Sequence, residues 1–205
     1  ATIIELACET DFVAKGDKFI ALSNKVLDAV VAAGATTAEQ GQAAAAGSQT
    51  VADLINDEAA IIGEKIELRR VAVVEGEKLA IYMHQTSQDL PPQVGVVVGY
   101  AGSDDETARS VAMHISFADP QYLAREDVPA AEVEKERQIV TEITRQEGKP
   151  EAQIEKIVEG RLAAFYKQVA LLEQDYARDD KQKVSKVLSD AGLTVSGFVR
   201  FKVGA

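Results

Sequence analysis

The sequence predicts an α+β fold: two similar small α/β subdomains, with an antiparallel helical hairpin, a coiled coil, inserted into the second. Three observations lead there. Apolar residues recur at helical spacing in some segments and as alternating or unbroken runs in others. A faint internal repeat at an offset of 91 residues aligns Ile3, Leu6 and Ala7 with Val94, Val97 and Val98, and Ile20, Ala21 and Leu22 with Val111, Ala112 and Met113. Two charged helical stretches flank Gly148-Lys149-Pro150. The expected division is residues 1–90 for the first half of the core, 91–128 and 170–205 for the second, and 129–169 for the hairpin.

Taken in order, Thr2 to Cys8 is an apolar run that reads as a short strand. Asp11 and Phe12 stand where it hands over to a helix beginning near Asp17. A Phe at such a junction is either tucked into the chain's own core, where large apolar side chains usually go, or held out as a wedge for a partner. Phe19, Leu22, Val26, Leu27 and Val30 mark one apolar helix face, which Gly34 ends. Ala35 to Thr50 is short of large apolar residues and reads as a loop with weak helix. Val51, Leu54, Ile55, Ala59 and Ile62 give a second helix, interrupted by Gly63.

Ile66, Leu68, Val71 and Val73 alternate as a half-buried strand. Glu75-Gly76-Glu77 reads as a hairpin turn, with Leu79, Ile81 and Met83 on the return strand and His84 at its end. Gln85 to Gln93, with Pro91-Pro92, suits an extended linker. Val94 to Tyr100 is a buried strand, and Gly102 to Asp105 turns the chain and caps a helix carrying Ala108, Val111, Ala112 and Ile115. Val133, Val140 and Ile143 mark the first hairpin helix; Ile154, Ile157, Val158, Leu162, Phe165 and Val169 mark the second. A three-residue break between them favours antiparallel packing. Tyr176 to Lys183 is a charged loop, Val184 to Ala191 a helix, and Val195 to Val203 a last strand.

Composition excludes several function classes. The net charge is -11, from 22 Lys and Arg against 33 Asp and Glu, which opposes general affinity for nucleic acid. Cys8 is the only cysteine, so neither an intrachain disulfide nor a cysteine-based metal cluster can form, and it reads as a small buried hydrophobe. No apolar run reaches membrane-spanning length. Asp11, His84 and His114 are candidate acid–base groups, but no phosphate-binding Gly loop, nucleophile elbow or metal-ligand spacing accompanies them. His114 lies within its helix's apolar pattern and reads as a satisfied core or edge histidine. Gly95 and Gly99 read as close-packing positions in a strand. No cofactor, metal or enzymatic chemistry is expected.

The segment Cys8-Glu9-Thr10-Asp11-Phe12-Val13-Ala14-Lys15 resembles bacterial elongation factor Ts. So do Ile62-Gly63-Glu64-Lys65-Ile66-Glu67-Leu68-Arg69-Arg70-Val71, Gly148-Lys149-Pro150, Ile157-Val158-Glu159-Gly160-Arg161, Leu171-Leu172-Glu173-Gln174 and Gly197-Phe198-Val199-Arg200-Phe201. These blocks follow the family's order along essentially the whole chain. The family's N-terminal helical domain, similar to a ubiquitin-associated domain, has no counterpart here, so the sequence is expected to be a fragment of a longer protein. The resemblance implies a cytoplasmic guanine nucleotide exchange factor that binds elongation factor Tu carrying GDP. It implies contacts to the G domain or third domain of that partner at Asp11, Phe12, Ile62, Gly63 and His84, and a further contact region at Ala177 and Arg178. The family usually carries a bulkier apolar residue at Ala177. It implies that Phe12 enters between G-domain helices near the magnesium site, loosening the metal and the phosphate loop. The alternative is a scaffold or oligomerisation protein acting through the helical hairpin.

Overall fold

Strand β1 (Thr2–Ala7) pairs antiparallel with β4 (Glu67–Val73), and that two-stranded sheet is the layer on which the first half of the chain is built. The computed structural model describes residues 1–204 and is mixed α+β, with eight α-helices and four small sheets among them. Alternation along β1 sends successive side chains to opposite faces. Leu6 and Ile4 join a cluster with Phe19, Leu22, Val26 and Val30 of α2 (Asp17–Ala32) and Val51 and Ile55 of α4 (Val51–Ile62). Ile3 turns the other way, onto Val74 and Val97.

Val97 belongs to β6 (Val94–Ala101), the middle strand of a second sheet ordered β5 (Lys78–His84), β6, β9 (Thr194–Lys202). The first unit, Ala1–Ala101 together with the C-terminal strand from Val195, therefore stacks helices, a two-stranded sheet and a three-stranded sheet. β6 has apolar neighbours on both faces, which explains its unbroken Val and Gly sequence. Gly99 is there for space: a Cβ would sit 2.3 Å from the Glu75 carbonyl oxygen.

One residue pins the two sheets. Glu5 is 2 % exposed, and its carboxylate accepts from Arg70 Nε at 2.5 Å across the β1–β4 ladder. Arg70 also donates to the Lys202 carbonyl of β9 at 2.6 Å and lies 4.5 Å from the Phe201 ring centroid.

The second unit, Gly102–Thr194, is mainly helical. It holds α5 (Asp105–Ala118), capped by Asp104, then α6 (Ala130–Gln146), α7 (Glu151–Val169) and α8 (Val184–Asp190). Val140 of α6 clusters with Ile154, Val158 and Leu162 of α7. Arg137–Glu159 and Arg161–Glu147, each at 2.7 Å, flank that seam.

Four sequence expectations are corrected. β4 and β5 do not form a hairpin: the chain at Glu75–Glu77 crosses from one sheet to the other. Alternation reports that each strand has two faces, and is silent on its neighbour. Gln85–Gln93 is the loop of a β5–β6 hairpin, with His84 opposite Val94, and not an extended linker. Ala35–Thr50 contains α3 (Ala38–Ala43) and a small ladder of β2 (Ala45–Ala46) and β3 (Gln49–Thr50). Its core contacts come from small residues, Ala35, Gly41 and Ala44, which a search for large apolar residues passes over. The charged segment after Gln174 is likewise a ladder, β7 (Asp175–Tyr176) with β8 (Asp179–Lys183).

Candidate functional site

The Asp11–Phe12 junction is a one-turn helix, α1 (Asp11–Ala14). Thr10 caps it, its hydroxyl oxygen accepting the Val13 N–H. No residue of α1 is fully buried; Val13 alone leans on the α2–α4 core. Phe12 is 78 % exposed, the highest value among the large apolar side chains, and Lys15 Nζ lies 5.9 Å from its ring centroid.

Ile62 and Gly63 close α4. Gly63 sits at φ 85°, a left-handed conformation that costs glycine little, and its N–H bonds to the Ala59 carbonyl. Ile62 is half-buried against the core, whereas its neighbour Ile61 is 66 % exposed. The resemblance points to Ile62 and not to Ile61. The signal was available: the stripe Val51, Ile55, Ile62 faces inward, which sends Ile61 outward.

The structure brings these two junctions together. Glu64 accepts from the Glu9 N–H at 3.2 Å, the Thr10 N–H at 3.0 Å and the Thr10 hydroxyl at 2.5 Å. Glu9 answers by accepting the Lys65 N–H at 3.2 Å. A narrow cleft beside α1 is lined by Cys8, Thr10 and Asp11 on one side and Leu90, Pro91 and Pro92 of the β5–β6 loop on the other. Cys8 is half-buried, not fully buried as the sequence suggested; partial burial, and then the Glu64 charge, push its thiol pKa up.

His84 stands exposed at the end of β5, its Nδ1 3.2 Å from the Tyr82 hydroxyl. Its backbone carbonyl closes the hairpin by accepting the Gln93 N–H.

Ala177 and Arg178 lie in the second unit, exposed in the turn between β7 and β8. His114 supports that turn from inside. It is 3 % exposed, and its Nδ1 accepts the Ala177 N–H at 3.3 Å. The proton must therefore be on Nε2, which donates to Gln174 Oε1 at 2.8 Å. The Gln174 amide then donates to the carbonyls of Ala118 and Gln168. Burial lowers the His114 pKa, partly offset by the Gln174 bond. The Tyr176 hydroxyl bonds Ser110, and Phe117, 64 % exposed, stands edge-on to His114. The sequence placed His114 in the core; its hold on the Ala177 turn is a contact 63 residues away that no local pattern reports.

Among the described residues no three His, Cys, Asp or Glu side chains are grouped to hold a metal, and no helix is long and apolar enough to cross a membrane. What the surface offers is exposed apolar side chains at hydrogen-bonded junctions.

Comparison with known proteins agrees on one family. The family described as Elongation factor TS matches residues 9–205. Elongation factor Ts of Leifsonia xyli subsp. xyli is 75 % identical over 205 residues, covering 100 % of this chain and 74 % of that protein. Elongation factor Ts of Clavibacter michiganensis subsp. michiganensis is 71 % identical with the same coverage. That of Tropheryma whipplei is 54 % identical over 204 residues, covering 100 % of this chain and 74 % of its own length. The chain thus belongs to the elongation factor Ts family, proteins of translation elongation in protein biosynthesis.

Proposed function

We propose that the chain is the exchange-active part of a cytoplasmic guanine nucleotide exchange factor, which binds elongation factor Tu carrying GDP and promotes GDP release. The observation that carries this is Phe12: an aromatic ring 78 % exposed on a one-turn helix, where it contributes little to the free chain's own core. Asp11 beside it, Ile62 and Gly63 across the Glu64 bridge, His84, and Ala177 with Arg178 are the contact residues of this reading.

The mechanism is linkage, without bond chemistry or cofactor. The chain holds the nucleotide-free partner more tightly than the GDP-bound one, and must then weaken GDP binding by the same factor. Phe12 entering between G-domain helices near the magnesium site displaces the elements that hold the metal and the phosphates. GTP then fills the vacated site. The net charge of -11 supports a protein partner over a nucleic acid.

Within this reading the core is a pair of similar subdomains, 1–90 and 91–128 with 170–205. Two matching junctions support the pairing: α4–Gly63–β4 and α8–Gly192–β9 both pass through a glycine at positive φ. The spatial units cut across these halves, because β6 and β9 lie with β5. Residues 129–169 are the inserted coiled-coil hairpin, supported by the Val140, Ile154, Val158 and Leu162 seam.

The test is to load elongation factor Tu with fluorescent GDP, add excess unlabelled nucleotide, and time release with and without the chain. Acceleration at substoichiometric chain is expected. An unchanged release rate refutes the exchange reading and leaves assembly through the hairpin as the alternative.

A further inference from the structure

We propose that Glu64 is a positioning residue for Phe12: its carboxylate bridges from the end of α4 to the cap of α1 and fixes the direction in which the exposed ring is presented. The inference rests on the exchange reading above and adds a residue to it.

Packing holds α1 at one point only, Val13 against the α2–α4 core. None of its residues is fully buried, and Phe12 itself projects into solvent. What remains are hydrogen bonds, and they converge on one side chain. Glu64 takes three donors from Glu9 and Thr10, using both oxygens. Thr10 is the pivot: one hydroxyl donates to Glu64 and accepts the Val13 N–H. Its O–H bond to a carboxylate is charge-assisted and strongly directional. The reciprocal bond from the Lys65 N–H to Glu9 makes the bridge two-way. A rotation of α1 about the β1 end would break several of these bonds together.

The residue type matters. Three donors point at the Glu64 side chain, and only a carboxylate offers acceptors on both terminal atoms. An amide would turn an N–H₂ toward one of them. The bridge also begins one residue after Gly63, so it couples the two junctions proposed to meet the partner.

The competing role for an acidic residue at this place is direct contact with the partner. The two differ in their coupling to Phe12. If Glu64 acts by aiming Phe12, its removal has nothing left to disturb once the ring is gone.

The experiment measures GDP release from elongation factor Tu with the unaltered chain, Glu64→Ala, Glu64→Gln, Phe12→Ala and the Glu64→Ala/Phe12→Ala double variant. Amide hydrogen exchange at Glu9 and Thr10 is followed on the free chains. Glu64→Ala is expected to slow maximal release about three- to tenfold, with Glu64→Gln intermediate. Both should expose the Glu9 and Thr10 amides while the β1–β4 amides stay protected. The double variant should release GDP no more slowly than Phe12→Ala. Normal release by Glu64→Ala beside slow release by Phe12→Ala overturns the inference and leaves the exchange reading standing. Two effects that multiply in the double variant also overturn it, because Glu64 then acts by its own contact. Normal release by Phe12→Ala overturns the exchange reading itself, and the inference with it. Should Glu64→Ala not fold, Glu64→Gln with its matching double variant carries the same comparison.

Discussion

Replacing Arg70 by Met removes the guanidinium that pairs with Glu5, a carboxylate that is 2 % exposed. Among the described residues Glu5 would keep the Gly204 N–H at 3.4 Å. Leaving a buried charge without its partner costs about 3–5 kcal/mol. The bond to the Lys202 carbonyl adds about 1 kcal/mol, and the cation over Phe201 about 0.5–1 kcal/mol. Arg70 is itself 37 % exposed, so water can partly replace it and the lower end applies. The lower ends together give a loss of about 4.5 kcal/mol, which at a urea slope of about 2–3 kcal/mol per molar lowers the midpoint by about 1.5–2.3 M. Urea unfolding followed by far-ultraviolet circular dichroism reads this directly. The double variant Glu5→Gln/Arg70→Met should recover at least about 1 kcal/mol, since a neutral amide replaces the stranded charge. A loss below about 1 kcal/mol for Arg70→Met, or no recovery in the double variant, would refute the burial of Glu5 as the source of the effect.

Three further outcomes are expected. Phe12→Ala should shift stability by no more than about 0.5 kcal/mol, where a buried Phe would cost about 3–5 kcal/mol; GDP release should nonetheless slow at least several-fold, since an interface anchor commonly contributes about 2 kcal/mol, and both are measured on one preparation. His114 takes a proton less readily folded than unfolded, so its contribution to stability is complete above its unfolded pKa near 6.5 and is lost as pH falls toward the lowered folded value. The unfolding free energy from urea titration should drop between pH 7.5 and 5.5, by no more than about 1.4 kcal/mol per pH unit for this one proton, and His114→Gln should flatten that dependence. Replacing residues 132–168 by a short Gly/Ser linker should leave a cooperative unfolding transition; a molten product would refute the hairpin as a separable insertion.

The sequence carries its local order plainly. Helices α2, α4, α5, α6 and α7 follow from apolar spacing, and β6 from an unbroken apolar run. What escaped it is partnership. β4 and β5 each alternate as strands do, yet they do not pair with each other: β4 pairs with the distant β1, and β5 with β6 across a nine-residue polar loop. Gly41 and Ala44 build core without bulk, so α3 lacked a visible stripe. At the candidate site, Asp11, Phe12, Ile62 and Gly63 came from the family resemblance, while Glu64 and His114 act through contacts 54 and 63 residues away. Hydrogen bonds of that span leave no periodicity to read.

The position of β9 sets an order of events during synthesis. β6 lies between β5 and β9, and the whole second unit, Gly102–Thr194, is made after β6 and before β9. At about 5–20 residues per second that interval lasts about 5–20 s. The second unit is continuous in the chain and is complete before the first can be. Meanwhile β6, with Val96 and Val98 destined for full burial, has one edge open, and an open apolar edge invites pairing with other nascent chains. The nascent chain with β6 still unpaired is therefore the species expected to be most prone to aggregation, and the emergence of Thr194–Lys202 closes that edge.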